Sequence, residues 1–450
     1  MGSRGRLASD RWGSIALTMW TLAAAGTVGA AEPGYELTVG VGETDNLTRG
    51  PDGPSATILM EGLDLSWHDQ RPRVSTDVDA DLQYLTYIPR TYHSEVVGNF
   101  LGNLRATLAP QLLFWDFSDN FGQGRIDPLT AVSPLNRENI NYFNTGPELL
   151  VPLSATNLLD IDTHYGNVSY QTSDLNSSRY SARLGLIHQL SPQATVSLNG
   201  TDERVNFKDD LGNPDYSRQD AFVRFDGHSN RTTIGVDLGY SKLRDPLASG
   251  GEVLARLQVS RKLSASSTVA LSVGHQYSDA ADAFLLGQTI GGANLATQTT
   301  TQTGAPFKST YETLAWNFQR NRTGFGLSVA QYKEVYQDLA TANDTRTQAN
   351  AHISRLLSPT LTVGIGEDYF HQVFQSVDAT ATENDTDAQL TWHVSRSVSL
   401  MLDVLHANRH SNVAGTDFTE NLVWLTVGYG RPAQVPPGPV TPPLPNQKPY

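Results

Sequence analysis

Three carboxylates stand at every second position of one segment, as Asp77, Asp79 and Asp81. The residues between them are apolar or small, so residues 74–84 have the period of two that is typical of a strand with two unlike faces. On a strand these carboxylates share one face at intervals of about 7 Å. Such a row can attract cations or hydrogen-bond sugar hydroxyls, and it equally suits internal charge pairing.

Other charged residues take the polar positions of their own alternating segments. Arg105, Arg183 and Arg224 are three of them. Asp160, Asp162 and His164 form a second polar row, with residue types that acid/base catalysis uses. Side chains two apart on a strand point the same way without converging on one atom, so we predict no catalytic residues there.

The composition of the chain argues against several kinds of site and partner. The chain has no cysteine, which excludes disulfides, thiolate metal ligands and a cysteine nucleophile. We find no pattern that predicts a bound metal or a cofactor, and we expect no enzymatic activity. The formal net charge of −14 argues against a nucleic-acid partner, which requires a basic footprint.

A recurring turn shows how these rows are positioned. Similar turns, each followed by alternating apolar and polar residues, are Leu153-Ser154-Ala155, Leu190-Ser191-Pro192, Leu263-Ser264-Ala265, Leu357-Ser358-Pro359 and Val394-Ser395-Arg396. The closest of them stand 37 residues apart, and weaker turns near residues 229 and 321 divide the longer gaps. A unit of about that length holds two strands, a short turn and a longer loop, as in an up-and-down β-barrel.

Short and long connections alternate along the chain. Short turns are predicted near residues 70, 109, 154, 191, 229, 264, 321, 358 and 395. With hairpins at both termini they give about 20 strands, and we accept a range of about 16 to 20, each near the 9–11 residues that span a bilayer when tilted. A soluble sandwich also alternates, but these two features favour an all-β fold: a transmembrane antiparallel barrel with short periplasmic turns, long extracellular loops and a wet, polar interior.

Aromatic residues near the predicted strand ends suit the interfacial girdles of such a barrel. They are Trp67, Tyr84, Tyr87, Tyr165, Tyr240, Tyr277, Trp316, Tyr369, Trp392, Trp424 and Tyr429. Two stretches break the strand pattern: residues 119–142, and residues 280–306 with Phe284-Leu285-Leu286. We predict that both are external loops or plugs folded into the barrel.

The two ends of the chain differ from its middle. Arg4, Arg6 and Arg11 precede an apolar run over residues 15–28 and then small residues, the layout of a secretory signal peptide. A membrane anchor is the alternative, but the run is shorter than the ~20 residues that a helix needs. We therefore predict a signal peptide at 1–31, a barrel at 32–430 and a proline-rich periplasmic tail at 431–450.

The chain also resembles a known family. Gly42-Glu43-Thr44-Asp45-Asn46-Leu47, Asn144-Thr145-Gly146-Pro147-Glu148-Leu149 and the Leu-Ser-Pro turns are similar to those of the family named putative β-barrel porin 2. That family includes outer-membrane proteins associated with exosortase (PEP-CTERM) and exopolysaccharide gene clusters. The resemblance covers about residues 35–430. It implies a Gram-negative outer-membrane barrel that helps surface polysaccharide to cross the membrane, and it supplies no catalytic residues.

These observations lead to one favoured function and several alternatives. We expect an outer-membrane channel, favoured as a conduit for exopolysaccharide. Alternatives are a diffusion porin with cation preference, a non-conducting structural barrel and an outer-membrane enzyme. The lumen-facing candidates are Asp77, Asp79, Asp81, Arg105, Asp160, Asp162, His164, Arg183 and Arg224. Expected partners are outer-membrane lipid, lipopolysaccharide, the barrel assembly machinery and polysaccharide export components.

Overall fold

Long strands make up almost all of the described chain. The computed structural model describes residues 33–90, 92–209, 212–246, 249–290, 297–298, 300–337 and 339–431. The predicted signal peptide and residues 432–450 of the predicted tail lie outside these described residues.

The element bounds show strands of similar length in regular succession. The strands are β1 Gly34–Thr44, β2 Ala56–Gln70, β3 Val74–Ile88, β4 Glu95–Ala109, β5 Leu113–Gly124, β6 Glu138–Pro152, β7 Asn157–Tyr170, β8 Ser177–Ser191, β9 Ala194–Phe207, β10 Tyr216–His228, β11 Thr232–Arg244, β12 Gly250–Ser264, β13 Ser267–Ser278, β14 Thr297–Gln298, β15 Phe307–Arg320, β16 Thr323–Tyr336, β17 Asp344–Ser358, β18 Leu361–Phe374, β19 Ala379–His393, β20 Val398–Ser411 and β21 Phe418–Arg431. The described residues also contain one α-helix, α1 Ala280–Ile290, and a 3-10 turn, Ala340–Ala342. None of the described helices has the length and apolar character that crossing a bilayer requires.

The sheet closes on itself because its first strand pairs with its last. β1 lies antiparallel to β21, from Tyr35 opposite Arg431 to Thr44 opposite Leu422. Every other barrel strand pairs antiparallel with its neighbours in sequence, and only the two-residue β14 stands outside this ring. Twenty strands therefore form a barrel without a free edge. The predicted fold class and strand number are confirmed.

The two ends of the barrel differ in their connections. At one end, the short-turn end, nine connections have two to four residues and lie where the short turns were predicted. At the other, the long-loop end, the largest connections are residues 125–137 and 279–306. The prediction that 119–142 is irregular was wrong at its margins, because β5 continues to Gly124 and β6 begins at Glu138. These strand ends are rich in polar residues and glycine, so they lack the apolar alternation from which strands were predicted.

The outward face of the barrel is apolar at mid-height. Period-two alternation turns every second side chain outward, and there large apolar side chains stay exposed: Leu198 is 61% and Leu238 and Ile365 are 59% exposed. Others in this outward belt are Leu37, Val39, Val41, Leu184, Leu186, Val223, Val253, Leu314, Leu327, Val329, Ile353, Leu390, Leu402, Val404, Val423, Leu425 and Val427. A continuous apolar belt of this kind is the lipid-facing surface of a membrane barrel.

Aromatic side chains border the belt on both sides. Toward the short-turn end the outward residues are Trp67, Trp115, Trp316 and Trp392, and toward the long-loop end they are Tyr84, Tyr165, Tyr180, Tyr240 and Tyr369. Three of the predicted girdle residues are placed otherwise. Tyr87 and Tyr277 are 1% exposed inside the barrel, and the Trp424 ring lies on the inward side against Gly42, where a Cβ would meet it at 2.8 Å.

The outward belt generates a prediction about stability. Leu425→Arg places a charge in the belt, and we expect it to lower the free energy of unfolding in lipid vesicles by about 2–4 kcal/mol. Thr419→Arg makes the same charge change on the same face of β21, nearer the long-loop end, and should cost about 1 kcal/mol or less. Urea unfolding, followed by tryptophan fluorescence, measures both. Equal costs would contradict a lipid-facing belt.

Candidate functional site: the barrel lumen

Contacts between strands and long loops identify the inward faces. On β3 the Tyr87 hydroxyl accepts a hydrogen bond from Arg137, which lies in the connection after β5, at 2.7 Å. Tyr87 and Arg137 also share Glu95 as a partner. Because β3 pairs with β2 without a register shift, its odd-numbered residues all face inward.

The predicted acidic row lies on this inward face. His68 on β2 has its Nδ1 3.2 Å from an Asp77 carboxylate oxygen, and the Ser66 hydroxyl donates to Asp79 at 2.8 Å. The Asp77 and Asp79 side chains are 46% and 54% exposed although they face into the barrel. The lumen is therefore wet at this height, toward the short-turn end.

Arg105 joins three strands through charge pairs. Its guanidinium lies 3.4 Å from the Asp116 carboxylate on β5 and also pairs with Glu148, a buried residue on β6. It lies over the Phe114 ring at 4.1 Å from the ring centre. Asp116 and Glu148 were not predicted as site residues. Their positions opposite Arg105 and Phe114 become visible only with the strand register.

The structure brings four predicted residues together on β7 and β8. One nitrogen of Arg183 donates to Asp160 at 3.0 Å and to Asp162 at 2.9 Å. The Asp162 carboxylate also pairs with His164. This arrangement compensates the charge of two inward carboxylates.

Arg224 continues the pairing around the wall. It donates to Asp226 at 2.7 Å and lies 3.5 Å from Asp237, which in turn accepts from Arg256 at 2.8 Å. Asp237 and Arg256 were missed from sequence, although both stand at inward positions of alternating strands. From β4 to β12 the mid-height arginines are thus paired with carboxylates. We call this part of the lumen the paired wall.

The rest of the lumen has carboxylates without such partners. The seven neighbouring strands from β18 through β21 and β1 to β3 contain no lysine and two arginines, Arg409 at the long-loop end and Arg431 at the short-turn end. Inward carboxylates nearer the long-loop end, Glu383, Asp385 and Glu420, pair with Arg49 or Arg409. Eight further inward carboxylates on these strands are Glu36, Asp64, Asp77, Asp79, Asp81, Asp368, Asp387 and Asp403. Within the described residues none of the eight forms a salt bridge with arginine or lysine. We call this surface the acidic wall.

Residues 125–137, the first inward loop, fold into the long-loop end of the barrel. Arg125 donates to Gln372 on β18 at 2.6 Å, and the Leu129 carbonyl accepts from Arg409 on β20 at 2.7 Å. Burial and the nearby Arg409 guanidinium lower the pKa of Arg125 to about 10. The loop is thus held across the mouth by buried polar contacts.

The described parts of residues 279–306, here called the second inward loop, also turn into the barrel. Phe284 of α1 is 2% exposed and packs with Ile140, Tyr142, Val168 and Tyr170 on β6 and β7. Beyond α1, β14 pairs in parallel with Gln123 and Gly124 of β5. The loop therefore leaves β13, reaches β5 and returns to β15. The prediction of an in-folded segment around Phe284 agrees with this path.

A buried ion network holds α1 in place. Arg179 on β8 pairs with Asp279 and lies 3.2 Å from Asp282, which also accepts from Arg218 at 2.8 Å. Burial raises the pKa of Asp279, but the Arg179 guanidinium and the Tyr216 hydroxyl outweigh it, so this pKa lies below its ordinary value. The carboxylate therefore stays charged at pH values that already protonate an ordinary aspartate, and the anchor is lost only as the pH falls through this lowered pKa.

A second network fixes the return of the loop. Thr300 donates to Glu334 on β16 at 2.9 Å and accepts from Arg346 on β17 at 3.1 Å. Arg346 and Glu334, each 2% exposed, pair directly. The lumen is consequently wet toward the short-turn end and narrowed at the long-loop end. Within the described residues no group of three or more His, Asp or Glu is placed to hold a metal ion.

The network around α1 generates a second prediction. Arg179→Gln leaves the buried Asp279 without its charged partner, a change that costs about 3–5 kcal/mol in buried pairs. We expect α1 to leave the wall and residues 279–306 to be cut at least about tenfold faster by proteinase K. Arg204→Gln, on the same sheet but outward and 70% exposed, is the control and should leave the rate unchanged. Intact protection in both variants would show that the network does not anchor the loop.

Comparison with known proteins finds one family match and several similar solved structures. Residues 309–430 match the family described as "Putative beta-barrel porin 2". No curated protein sequence matches the chain. Among solved structures, it is similar to the FrpB iron transporter of Neisseria meningitidis (F3-3 variant), with a TM-score of 0.44 and 9% identity over 90% of this chain and 83% of that chain. It is also similar to the siderophore receptor PirA of Pseudomonas aeruginosa, with a TM-score of 0.40 and 13% identity over 90% and 81%. A third similar structure is OccK2 (OpdF) of Pseudomonas aeruginosa in complex with glucuronate. Its TM-score is 0.37 and its sequence identity is 10%, over 90% of this chain and 100% of that chain.

The family match confirms the predicted porin resemblance over residues 309–430, which run from β15 to β21. The closed barrel and its apolar belt have the form of an outer-membrane protein. The chain has the fold of a closed outer-membrane β-barrel.

Proposed function

We propose that this barrel is a diffusion channel of the Gram-negative outer membrane that prefers small cationic solutes. The observation that carries the proposal is the acidic wall: eight inward carboxylates without arginine or lysine partners, two of them about half exposed in the lumen. A water-filled channel with one sign of fixed charge concentrates the opposite ion.

The paired wall supports the same sign of selectivity. Arg105, Arg183 and Arg224 each contact carboxylates, so their charges offset one another locally instead of attracting anions. The fixed charge that remains in the lumen is negative.

Ion selectivity tests the proposal. The triple variant Asp77→Asn, Asp79→Asn and Asp81→Asn removes three inward charges, and we expect the K⁺ over Cl⁻ permeability ratio to fall about two- to fivefold. The measurement is the reversal potential of the refolded protein in a planar bilayer under a salt gradient. A current that is cation-preferring in the parent and unchanged in this variant would contradict a role for the row.

The matched control removes the same charge from the outer surface. Glu61→Gln, Asp202→Asn and Glu367→Gln change three carboxylates that stand at outward positions of β2, β9 and β18. Their distance from the ion path should leave the permeability ratio at the parent value. A barrel that folds but never conducts would refute the channel and favour a structural role.

Export of exopolysaccharide is the second candidate, and the family resemblance supports it. The inward loops bear on it, because a polymer chain is wider than an ion and both loops would have to leave the mouth. If the loops are the barrier, replacing residues 280–305 with a short Gly-Ser linker should raise the conductance about twofold or more and let acidic or neutral oligosaccharides block the current. Shortening residues 412–417 is the control. An unblocked, unchanged current would exclude the conduit.

The cellular setting belongs to the same proposal. The predicted signal peptide and the lipid-facing belt support insertion into an outer membrane by the barrel assembly machinery. Lipopolysaccharide would then contact the outward side chains above the belt. Export components for polysaccharide are proposed partners only if the second candidate holds.

A further inference from the structure

The short-turn end carries a charge opposite to that of the chain as a whole. The chain has a formal net charge of −14, yet its nine short turns contain no aspartate or glutamate. In these turns and the adjoining strand ends lies a set of exposed cations, here called the basic rim: Arg73, Arg231, Arg261, Lys262, Arg320, Arg322, Arg355 and Arg396.

The basic rim has no acidic partner of its own. Within the described residues none of its eight cations forms a salt bridge, whereas the nearby Arg71 pairs with Asp69 at 2.6 Å. Unpaired like charges repel one another, so an anion that binds to such a ring relieves this repulsion. Residues 432–450, which follow β21, contain no aspartate or glutamate side chain.

Three members of the rim point into the surrounding membrane rather than toward the pore. Arg261 follows Val259 on the outward face of β12, Arg320 follows Phe318 on β15, and Arg355 follows Ile353 on β17. In each pair the arginine lies one outward position, about 7 Å along the strand, beyond a residue of the apolar face. This places the guanidinium groups at the depth where lipid headgroups border the hydrocarbon.

The position of these outward arginines indicates which anion they meet. The outward residues on the belt side of the rim contact hydrocarbon, and the next layer that they meet is the headgroup layer. Headgroup phosphates are anions that a guanidinium binds through two parallel hydrogen bonds. An acidic protein or a polysaccharide at the pore entrance would instead meet inward or axial side chains.

We propose that the basic rim binds the phosphate groups of anionic phospholipids in the leaflet at the short-turn end. The proposal rests on the barrel spanning a bilayer, as in the proposed function. Each Lys or Arg near an anionic membrane surface strengthens binding to that surface about fivefold. Several such contacts spread over neighbouring turns would fix the height and tilt of the barrel in the membrane.

Tryptophan quenching by brominated lipids tests this binding. Trp67, Trp115, Trp316 and Trp392 lie outward near the rim and report on adjacent lipid. The protein is refolded in phosphatidylcholine vesicles with increasing brominated phosphatidylglycerol. We expect the parent to prefer phosphatidylglycerol about fivefold or more, and the variant with Arg261→Gln, Arg320→Gln and Arg355→Gln to have a preference near one.

A matched variant separates the rim from total charge. Lys242→Gln, Arg244→Gln and Lys333→Gln remove three outward, exposed cations near the long-loop end, and this variant should keep the parental preference. An equal loss in both variants, or no preference in the parent, would overturn the proposal. So would loss of the preference on adding inorganic phosphate at constant ionic strength, which would show a site for free phosphate, or binding of polyglutamate by a barrel that prefers neither lipid.

This measurement needs no ion current. A barrel that prefers phosphatidylglycerol but does not conduct would refute the proposed channel and keep the lipid site. A conducting barrel without the preference would do the reverse.

Discussion

Hydrogen bonding of the backbone inside a membrane is the constraint on which this structure depends. Each unpaired N–H or C=O in hydrocarbon costs several kcal/mol, so strands can cross a bilayer only when the ladder closes on itself. The pairing of β1 with β21 provides that closure. Once the ring is closed, the period of the strand sends alternate side chains to lipid and to the lumen. The segregation of apolar and charged residues follows from that geometry.

The charged side chains that face the lumen occur in two arrangements. From β4 to β12 arginines and carboxylates on neighbouring strands meet in pairs, as Arg183 does with Asp160 and Asp162. From β18 around to β3 the eight carboxylates of the acidic wall have no arginine or lysine partner among the described residues, and Asp77 and Asp79 are about half exposed to water. A carboxylate can keep its charge in either environment, because both compensate its desolvation. Only the second leaves a net field that acts on a passing ion.

The narrowed mouth has the character of a protein core that the rest of the barrel lacks. Its largest fully buried side chains include Arg125, Arg346 and Arg409, and the clusters around Phe284 and Phe307 lie beside them. Burying a guanidinium without partners is costly, and here carboxylates, amides and backbone carbonyls surround these groups. The inward loops are therefore integral to the fold, and the hydrophobic residues that they bring compensate for a lumen that has no core at mid-height.

The sequence by itself determined the barrel. Period-two alternation and the regular spacing of short turns are local properties, which can be recognised within a single pair of strands. Nine turn positions, the approximate strand number and the polar face that carries Asp77, Asp79 and Asp81 were all readable in this way. Only the tertiary structure decided which charges meet. Arg105 finds Glu148 two strands away, Asp279 lies 100 residues from Arg179, and Tyr87, expected in a girdle, is buried under Arg137. Strand register and loop path set these encounters, and neither is encoded in the alternation of a single segment.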